Sequence, residues 1–334
     1  MRAVNIREFG RVEDLVIETV ADPVASPGEV LVNIQATAAN FVDLLVISGK
    51  YQFLPPRPFI PGKLPTGTVA ALGAGVTGLN VGDRVLTLAE QGGYAEKIAV
   101  PAKDCFVLPP HLAFTDAAAM ALAYDTAWFA LCERGRAKAG ETVLVLGASG
   151  AVGLAAIQLA KAYGLKVLAG IANPTKAALV TQAGADEIVD LSAPNLLDSL
   201  RDQVKGMTQG KGADIILDPL GGDIFDAAIR ACAWRGRVVI IGFAAGRIPT
   251  LKINYVMLKN MEVSGLQISD YRKRAPQEMA HCLSEIFRLY QESKLTMMPT
   301  TILPLEEVKV ALKHLVERSA QGRIILTMDP TNRG

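Results

Sequence analysis

Seven consecutive small residues, Gly147-Ala148-Ser149-Gly150-Ala151-Val152-Gly153, have the composition needed to seat a diphosphate. Backbone N–H groups and the positive end of a helix dipole can face an anion only where no side chain intervenes. Read as G-x-G-x-x-G, the run has Ala148 in the first glycine position and Gly150 and Gly153 in the second and third. Ser149, Gly150, Ala151, Val152 and Gly153 are therefore expected to bind the pyrophosphate of a dinucleotide. The adenosine end is decided downstream, where an NAD site places Asp or Glu about 20 residues beyond the start of the motif. Here the segment reads Gly170-Ile171-Ala172-Asn173-Pro174-Thr175-Lys176, with no acid and one lysine. Exchanging an acid for a lysine beside a phosphate is worth about 4 kcal/mol per charge pair at an effective dielectric near 20. Asn173 and Lys176 are expected at that end, favouring NADPH over NADH.

Such a turn needs a strand before it and a helix behind it. Thr142–Leu146 is a continuous apolar run, and the residues from Val152 to Tyr163 carry a helical pattern ended by Gly164. The alternation continues: 166–169 then 176–183, 187–189 then 196–205, 214–217 then 224–233, and 238–241, with a sixth strand near 262–265. Apolar strands joined by helices imply a parallel sheet covered on both faces, a doubly wound, Rossmann-like α/β domain. The first third differs. Short alternating runs such as Glu29–Ile34 and Asp83–Leu88 follow turn residues, the pattern of an irregular β-rich domain. An Ala-rich helix over 117–131, capped by Thr115 or Asp116, marks the junction. A long amphipathic helix over 277–292 and a last strand over 323–328 are expected to return to the first domain. The expected domains are thus 1–117 with 265–334, and 118–264 inserted between them.

A chain of 334 residues, half of them hydrophobic, can bury more than one core. With 34 basic and 33 acidic side chains the net charge is +1, which creates no field to concentrate nucleic acid or an anionic membrane. A small-molecule partner is expected, with no nucleic acid and no membrane. Met1–Gly10 contains no apolar leader run, and no stretch reaches the roughly 18 apolar residues of a bilayer span, so a cytoplasmic chain is expected. Cys105, Cys132, Cys232 and Cys282 form no C-x-x-C pair and read as reduced core residues, while His111, His281 and His314 lack the spacing of a metal site.

Several further segments resemble the GroES-like catalytic domain of medium-chain dehydrogenases: Asn40-Phe41-Val42-Asp43, Ser48-Gly49-Lys50-Tyr51, Pro58-Phe59-Ile60-Pro61-Gly62, Gly67-Thr68-Val69 and Val81–Val85. Later pieces fit in the same order: Tyr124–Ala127, Gly147–Gly153, Asp218–Gly222, Gly236–Phe243, Lys259-Asn260 and Gly322–Leu326. The resemblance spans nearly the whole chain and is closest to the quinone oxidoreductases (zeta-crystallin-like). It implies a GroES-like β-rich domain joined to the Rossmann domain.

Zinc-dependent relatives carry a Cys-His pair before the aspartate and a Gly-His-Glu motif, where this chain has Asn40-Phe41 and Gly62-Lys63-Leu64. Asn, Phe, Lys and Leu do not make the open site of a catalytic zinc, so no metal is expected. The resemblance then implies a reductase of quinones or similarly activated acceptors. Asn40, Asp43 and Tyr51 would line the cleft beside the nicotinamide, with Tyr51 either a proton donor or a wall. Tyr124 and Thr126 would lie near the cofactor, Gly242, Phe243, Leu266 and Gln267 would border the nicotinamide, and Arg323 would close on the phosphates. The chain departs from the pattern at Asp125, where many relatives have glycine, at Lys63-Leu64-Pro65, and at 189–191, which lacks a tyrosine common in NADPH-using relatives. Lys50, Arg57 and Lys63 read as solvated charges. Two alternatives stay open: an enone or enoyl-thioester double-bond reductase, and an NADPH-sensitive structural or RNA-binding protein of the crystallin type. An uncovered sheet edge in the nucleotide domain points to a homodimer.

Overall fold

The computed structural model describes residues 1–320 and 322–329. In chain order the strands and helices are β1 (Arg2–Val4), β2 (Ile17–Thr19), β3 (Glu29–Ala38), α1 (Phe41–Ile47), β4 (Lys63–Leu72), β5 (Arg84–Thr87), β6 (Lys97–Pro101), β7 (Cys105–Val107) and α2 (Phe114–Met120). There follow α3 (Ala123–Trp128), β8 (Thr142–Leu146), α4 (Ala151–Ala162), β9 (Lys166–Ile171), α5 (Ala177–Gln182), β10 (Glu187–Asp190), α6 (Leu196–Met207), β11 (Ala213–Asp218), α7 (Gly222–Ala231) and β12 (Cys232–Ile240). The chain ends with α8 (Asn254–Lys259), β13 (Glu262–Gly265), α9 (Ile268–Arg274), α10 (Pro276–Gln291), β14 (Thr300–Pro304), α11 (Val308–Val316) and β15 (Arg323–Thr327).

One unit comprises residues 1–122 and the segment from Met297. Its main sheet runs β14-β15-β3-β4-β5-β7, with β6 also paired to β3. β3 shows why alternation encodes a half-buried strand: its period of two sends Val30, Val32 and Ile34 into a core shared with Val69, Val85, Tyr94, Ile324 and Leu326. Because β15 pairs antiparallel with β3, Leu326 opposite Thr37, the two ends of the chain close one sheet, and everything between α2 and β14 is an insertion.

The second unit, Ala123–Thr296, is built on a six-stranded sheet in the order β10-β9-β8-β11-β12-β13. All of its pairings are parallel. Every residue of β11 is buried, as a strand covered on both faces requires. Among the described residues no helix is long and apolar enough to cross a membrane.

Three expectations need correction. The single helix over 117–131 is two helices and a π-helical turn (Phe129–Arg134), because Leu122 takes a left-handed φ of 63° and breaks it at the junction between units. Neither Thr115 nor Asp116 caps: Ala113 stands at the N-cap of α2, and the helix starts at Phe114. The inserted unit also extends past residue 264 to Thr296, since α10 packs on α3 and α9 rather than returning to the first unit. The amphipathic face of α10 was legible from its sequence, but which core it covered was not.

Candidate active site

In the second unit, the carboxyl ends of parallel strands necessarily share one edge of the sheet. β8 ends there in the glycine turn. Gly147 adopts φ of 60°, and Gly150 N–H closes the turn onto Gly147 O at 2.9 Å. The positive-φ glycine is therefore Gly147, one residue before the position where Ala148 replaces the glycine of the pattern. Gly153 is required for another reason: a Cβ there would lie 2.6 Å from Ala148 Cα and 2.6 Å from Gly147 O. Its absence lets α4 begin directly against the strand end. The N–H groups of Ala151, Val152 and Gly153 form the first turn of α4, where a helix supplies no acceptor of its own.

On the next strand, β9, the chain passes into a 3₁₀ turn (Pro174–Lys176) whose cap is Asn173. The Asn173 Oδ1 accepts from Thr175 N–H at 3.0 Å and from Thr175 Oγ1 at 2.8 Å. Lys176 closes this turn and precedes α5. On the other side of β8, β11 ends in Asp218. Its Oδ1 accepts from the N–H groups of Leu220 and Gly221 at 2.8 and 2.9 Å, while its Oδ2 is buried with no hydrogen-bond partner among the described residues. Burial raises this carboxyl above its ordinary value. The strand order reverses between β8 and β11, the point at which open parallel sheets bind ligands. Gly242 and the exposed Phe243 follow β12 at the same edge. Leu266 follows β13, its N–H bonded to Ile240 O, and Gln267 caps α9 by accepting from Asp270 N–H at 3.0 Å.

Tyr124 and Thr126 lie buried on α3, which packs on α4 behind the glycine turn. The residue between them, Asp125, forms a fully buried ion pair with Arg272 of α9 at 2.6 Å. The departure from glycine at this position therefore has a partner: the guanidinium ties α9, and with it the Leu266-Gln267 corner, to α3.

A second polar cluster lies within the first unit. Asn40 precedes α1, and the Asp43 carboxylate accepts from the Asn40 backbone N–H at 2.9 Å, anchoring the first turn. Asp43 is only 1 % exposed and accepts from Tyr94 Oη at 2.7 Å. Burial raises the Asp43 carboxyl, against the opposing pull of the Tyr94 hydroxyl, the Asn40 N–H and Lys63; burial also drives the Tyr94 phenol well up. Gly62 makes room for this arrangement, with φ of 91° and no space for a Cβ, which would stand 2.7 Å from Tyr94 N. Asn40 Nδ2 donates to Ala38 O, and its Oδ1 accepts from Arg323. Asn40 and Asp43 are thus brought together, buried and engaged with the scaffold.

Lys63, read from sequence as a solvated charge, is instead buried. It bonds Glu90 Oε2 at 2.5 Å and Glu90 O at 3.0 Å, and its Nζ lies 5.8 Å from the centre of the half-buried Tyr51 ring. The guanidinium of Arg323 is buried; it bonds Ala119 O at 3.0 Å and Asn40 Oδ1 at 2.9 Å, joining β15 to the start of α1 and the end of α2. Tyr94, Glu90 and Asp218 were not selected from the sequence. The Tyr94–Asp43 bond joins residues 51 apart, and the only nearby signal is the Gly92-Gly93 pair before the tyrosine.

The cysteines remain unpaired, and burial pushes the thiols of Cys105, Cys132 and Cys232 up to about 12, which keeps them protonated and unreactive.

Residues 26–110 match the alcohol dehydrogenase GroES-like domain, and residues 151–285 match a family described as zinc-binding dehydrogenase. A quinone oxidoreductase-like protein 2 homolog of Nematostella vectensis is 34% identical over 97% of this chain and 88% of its own. The quinone oxidoreductase of Homo sapiens is 33% identical over 98% of both chains. A solved mycobacterial structure, complexed with NADPH, superposes with a TM-score of 0.90 at 29% identity, covering 98% of this chain and 100% of that one. The two-unit architecture, the glycine turn at the sheet edge and these likenesses agree: the chain belongs to the quinone oxidoreductase family of medium-chain dehydrogenases/reductases.

Proposed function

We propose that this protein reduces quinones, or acceptors activated in the same way by conjugation, with NADPH and without zinc. The observation that carries the reading is the shared carboxyl edge of the parallel sheet, where the glycine turn, the Asn173–Lys176 turn, Asp218, Gly242-Phe243 and Leu266-Gln267 all emerge. NADPH fits this edge. The N–H groups of Ala151, Val152 and Gly153, with Ser149 and Gly150, would hold its pyrophosphate, and Asn173 and Lys176 its adenosine phosphate. Gly242, Phe243, Leu266 and Gln267 would border the nicotinamide, with Tyr124 and Thr126 supporting α4 from behind. When bound, the nicotinamide supplies a hydride. The chain's own part would be to orient the acceptor and exclude water; by the family resemblance Asn40, Asp43 and Tyr51 would contribute to this, and in the first unit Asn40 and Asp43 are held by Arg323 and Tyr94.

The absence of zinc chemistry is argued from the donor set. Lys63 supplies a cation where a ligand would be needed, Leu64 is apolar and fully buried, and the Asn40 amide is already engaged. A homodimer is proposed through the β13 edge, because Trp234, Ile248, Ile253, Met257 and Leu258 of the same unit expose large apolar surfaces. The test is NADPH and NADH oxidation followed with a simple quinone and then an enone, alongside metal analysis of the purified protein. NADPH-selective quinone turnover with no bound zinc supports the reading. Turnover of the enone alone makes the protein a double-bond reductase, and one tightly held zinc per chain refutes the metal-free chemistry.

A further inference from the structure

The loop that follows β12 carries Gly242 and Phe243 at the carboxyl edge of the nucleotide sheet and has no regular structure of its own before α8. Its position must come from what it touches, and the turn after β11 supplies that surface. Asp218 O accepts from Ile241 N–H at 2.8 Å, Pro219 O from Ala244 N–H at 3.0 Å and Leu220 O from Ala245 N–H at 2.9 Å, while Gly222 N–H donates back to Arg247 O at 3.0 Å. The packing is equally close. Gly221 has φ of 67° and no room for a Cβ, which would stand 2.9 Å from Phe243 Cδ1 and 3.2 Å from Arg247 O. On its other side the β11 turn meets the glycine turn, where a Cβ on Gly147 would stand 3.0 Å from Leu220 Cδ2. Glycine turn, β11 turn and β12 loop are thus stacked in one contiguous series within the second unit. Between Phe243 and Arg247 stand only Ala244, Ala245 and Gly246, none with a side chain long enough to anchor the loop. Arg247 has one: its Nη2 donates to Asp223 Oδ1 at 2.8 Å and to Asp226 Oδ2, both on α7. Asp223 lies in the first turn of α7, where the helix dipole already favours a carboxylate, so the helix does not need the arginine and the loop does.

We propose that Arg247 is a positioning residue for the cofactor: its ion pairs with Asp223 and Asp226 clasp the β12 loop to α7 and so hold Phe243 against the β11 turn. This rests on the reading above that Gly242 and Phe243 border the nicotinamide. The clasp acts through the loop and not by contact with the cofactor. Its strength is that of an exposed interaction, since the Arg247 side chain is 46 % exposed and that of Asp223 89 %. Such pairs contribute little to the stability of a whole domain, but a loop with few other anchors can be shifted by an energy of that size. The consequence is local: opening the clasp frees the Phe243 segment while the sheet beneath it stays intact, and the cofactor then has to order that segment as it binds, at a cost in affinity.

The test uses R247A, R247K and F243A in the full chain, with NADPH titrated by fluorescence. R247A should weaken NADPH binding about threefold or more, the scale of an exposed ion pair, while the melting temperature of the unliganded protein stays at the wild-type value. R247K should recover most of the affinity, because a single nitrogen makes both contacts and an ammonium can take its place. Hydrogen exchange supplies the readout that a purely stabilising role would not move: the amides of Ala244 and Ala245 should exchange faster in R247A, while those of β11 and β12 keep their wild-type rates. Salt screens an exposed pair, so the ratio of the R247A to the wild-type dissociation constant should fall toward one as the salt rises from about 0.05 to 1 M, any effect on the cofactor's own phosphates cancelling in the ratio. Wild-type NADPH affinity in R247A, no recovery in R247K, or weakened affinity with unchanged exchange at Ala244 and Ala245 would overturn the proposal. Failure of the parent reading looks different: F243A would then bind NADPH as the wild type does, whereas F243A weakens binding where the clasp alone is wrong.

Discussion

Removing Asp125 should expose how much of the nucleotide unit depends on one ion pair. Asp125 and Arg272 meet at 2.6 Å with side chains 1 % and 3 % exposed, so neither charge can be screened by water. Their attraction is about 6 kcal/mol at an effective dielectric near 20, and it is largely offset by the several kcal/mol each ion loses on leaving water. The intact pair therefore contributes little net stability. Breaking it is another matter: Asp125→Ala leaves the guanidinium buried without its counter-charge, which costs about 3–5 kcal/mol. For a unit of this size that corresponds to a fall of about 10 °C in melting temperature. Arg272→Met in the Asp125→Ala background should recover most of the loss, since removing both charges also removes the desolvation cost. Calorimetry on the two single variants and the double variant measures the coupling. A loss under about 1 kcal/mol in Asp125→Ala, or a double variant no more stable than the single, refutes the reasoning. Because Arg272 sits on α9 just after Gln267, the single variant should also weaken NADPH binding, whereas the double variant tests whether the charges or only their packing position that corner.

Other expectations follow from the same geometry. Gly153→Ala places a Cβ 2.6 Å from Ala148 Cα, so α4 must shift from the turn; NADPH affinity measured by fluorescence should fall at least about tenfold while the first unit keeps its stability. Lys176→Glu should reduce the preference for NADPH over NADH by about tenfold or more, and an unchanged ratio of kcat/KM values removes Lys176 from the phosphate site. Burial raises the Asp43 carboxyl, so its favourable contribution is complete below the ordinary carboxylate pKa and is lost as pH rises through the folded value. Asp43→Asn should flatten the part of the stability profile that falls as pH rises above the ordinary carboxylate pKa in urea titrations; a profile parallel to the wild type's would count against it. Met257→Lys with Ile253→Glu should convert a dimer to a monomer in sedimentation, and a wild type that is monomeric at all concentrations removes the β13 interface.

The amino-acid sequence by itself determined what local patterns can carry. Continuous apolar strands alternating with helices from Thr142 onward specify a parallel sheet, because no shorter connection joins parallel neighbours. Gly147–Gly153 specified its phosphate-sized turn, since only small residues allow the backbone to approach so closely. Alternation in Glu29–Ile34 likewise marked a strand with one buried face. Tertiary structure decided everything that depends on partners distant in the chain. Lys63 looks like any surface lysine until β4 and the Glu90 segment bring it to a carboxylate. Asp125 acquires meaning only from Arg272, 147 residues later. Asp43 and Asn40 acquire their partners Tyr94 and Arg323 from 51 and 283 residues away. The physical cause is common to these cases: the state of a charge is set by its burial and its nearest opposite charge, and neither has a period that a sequence can display.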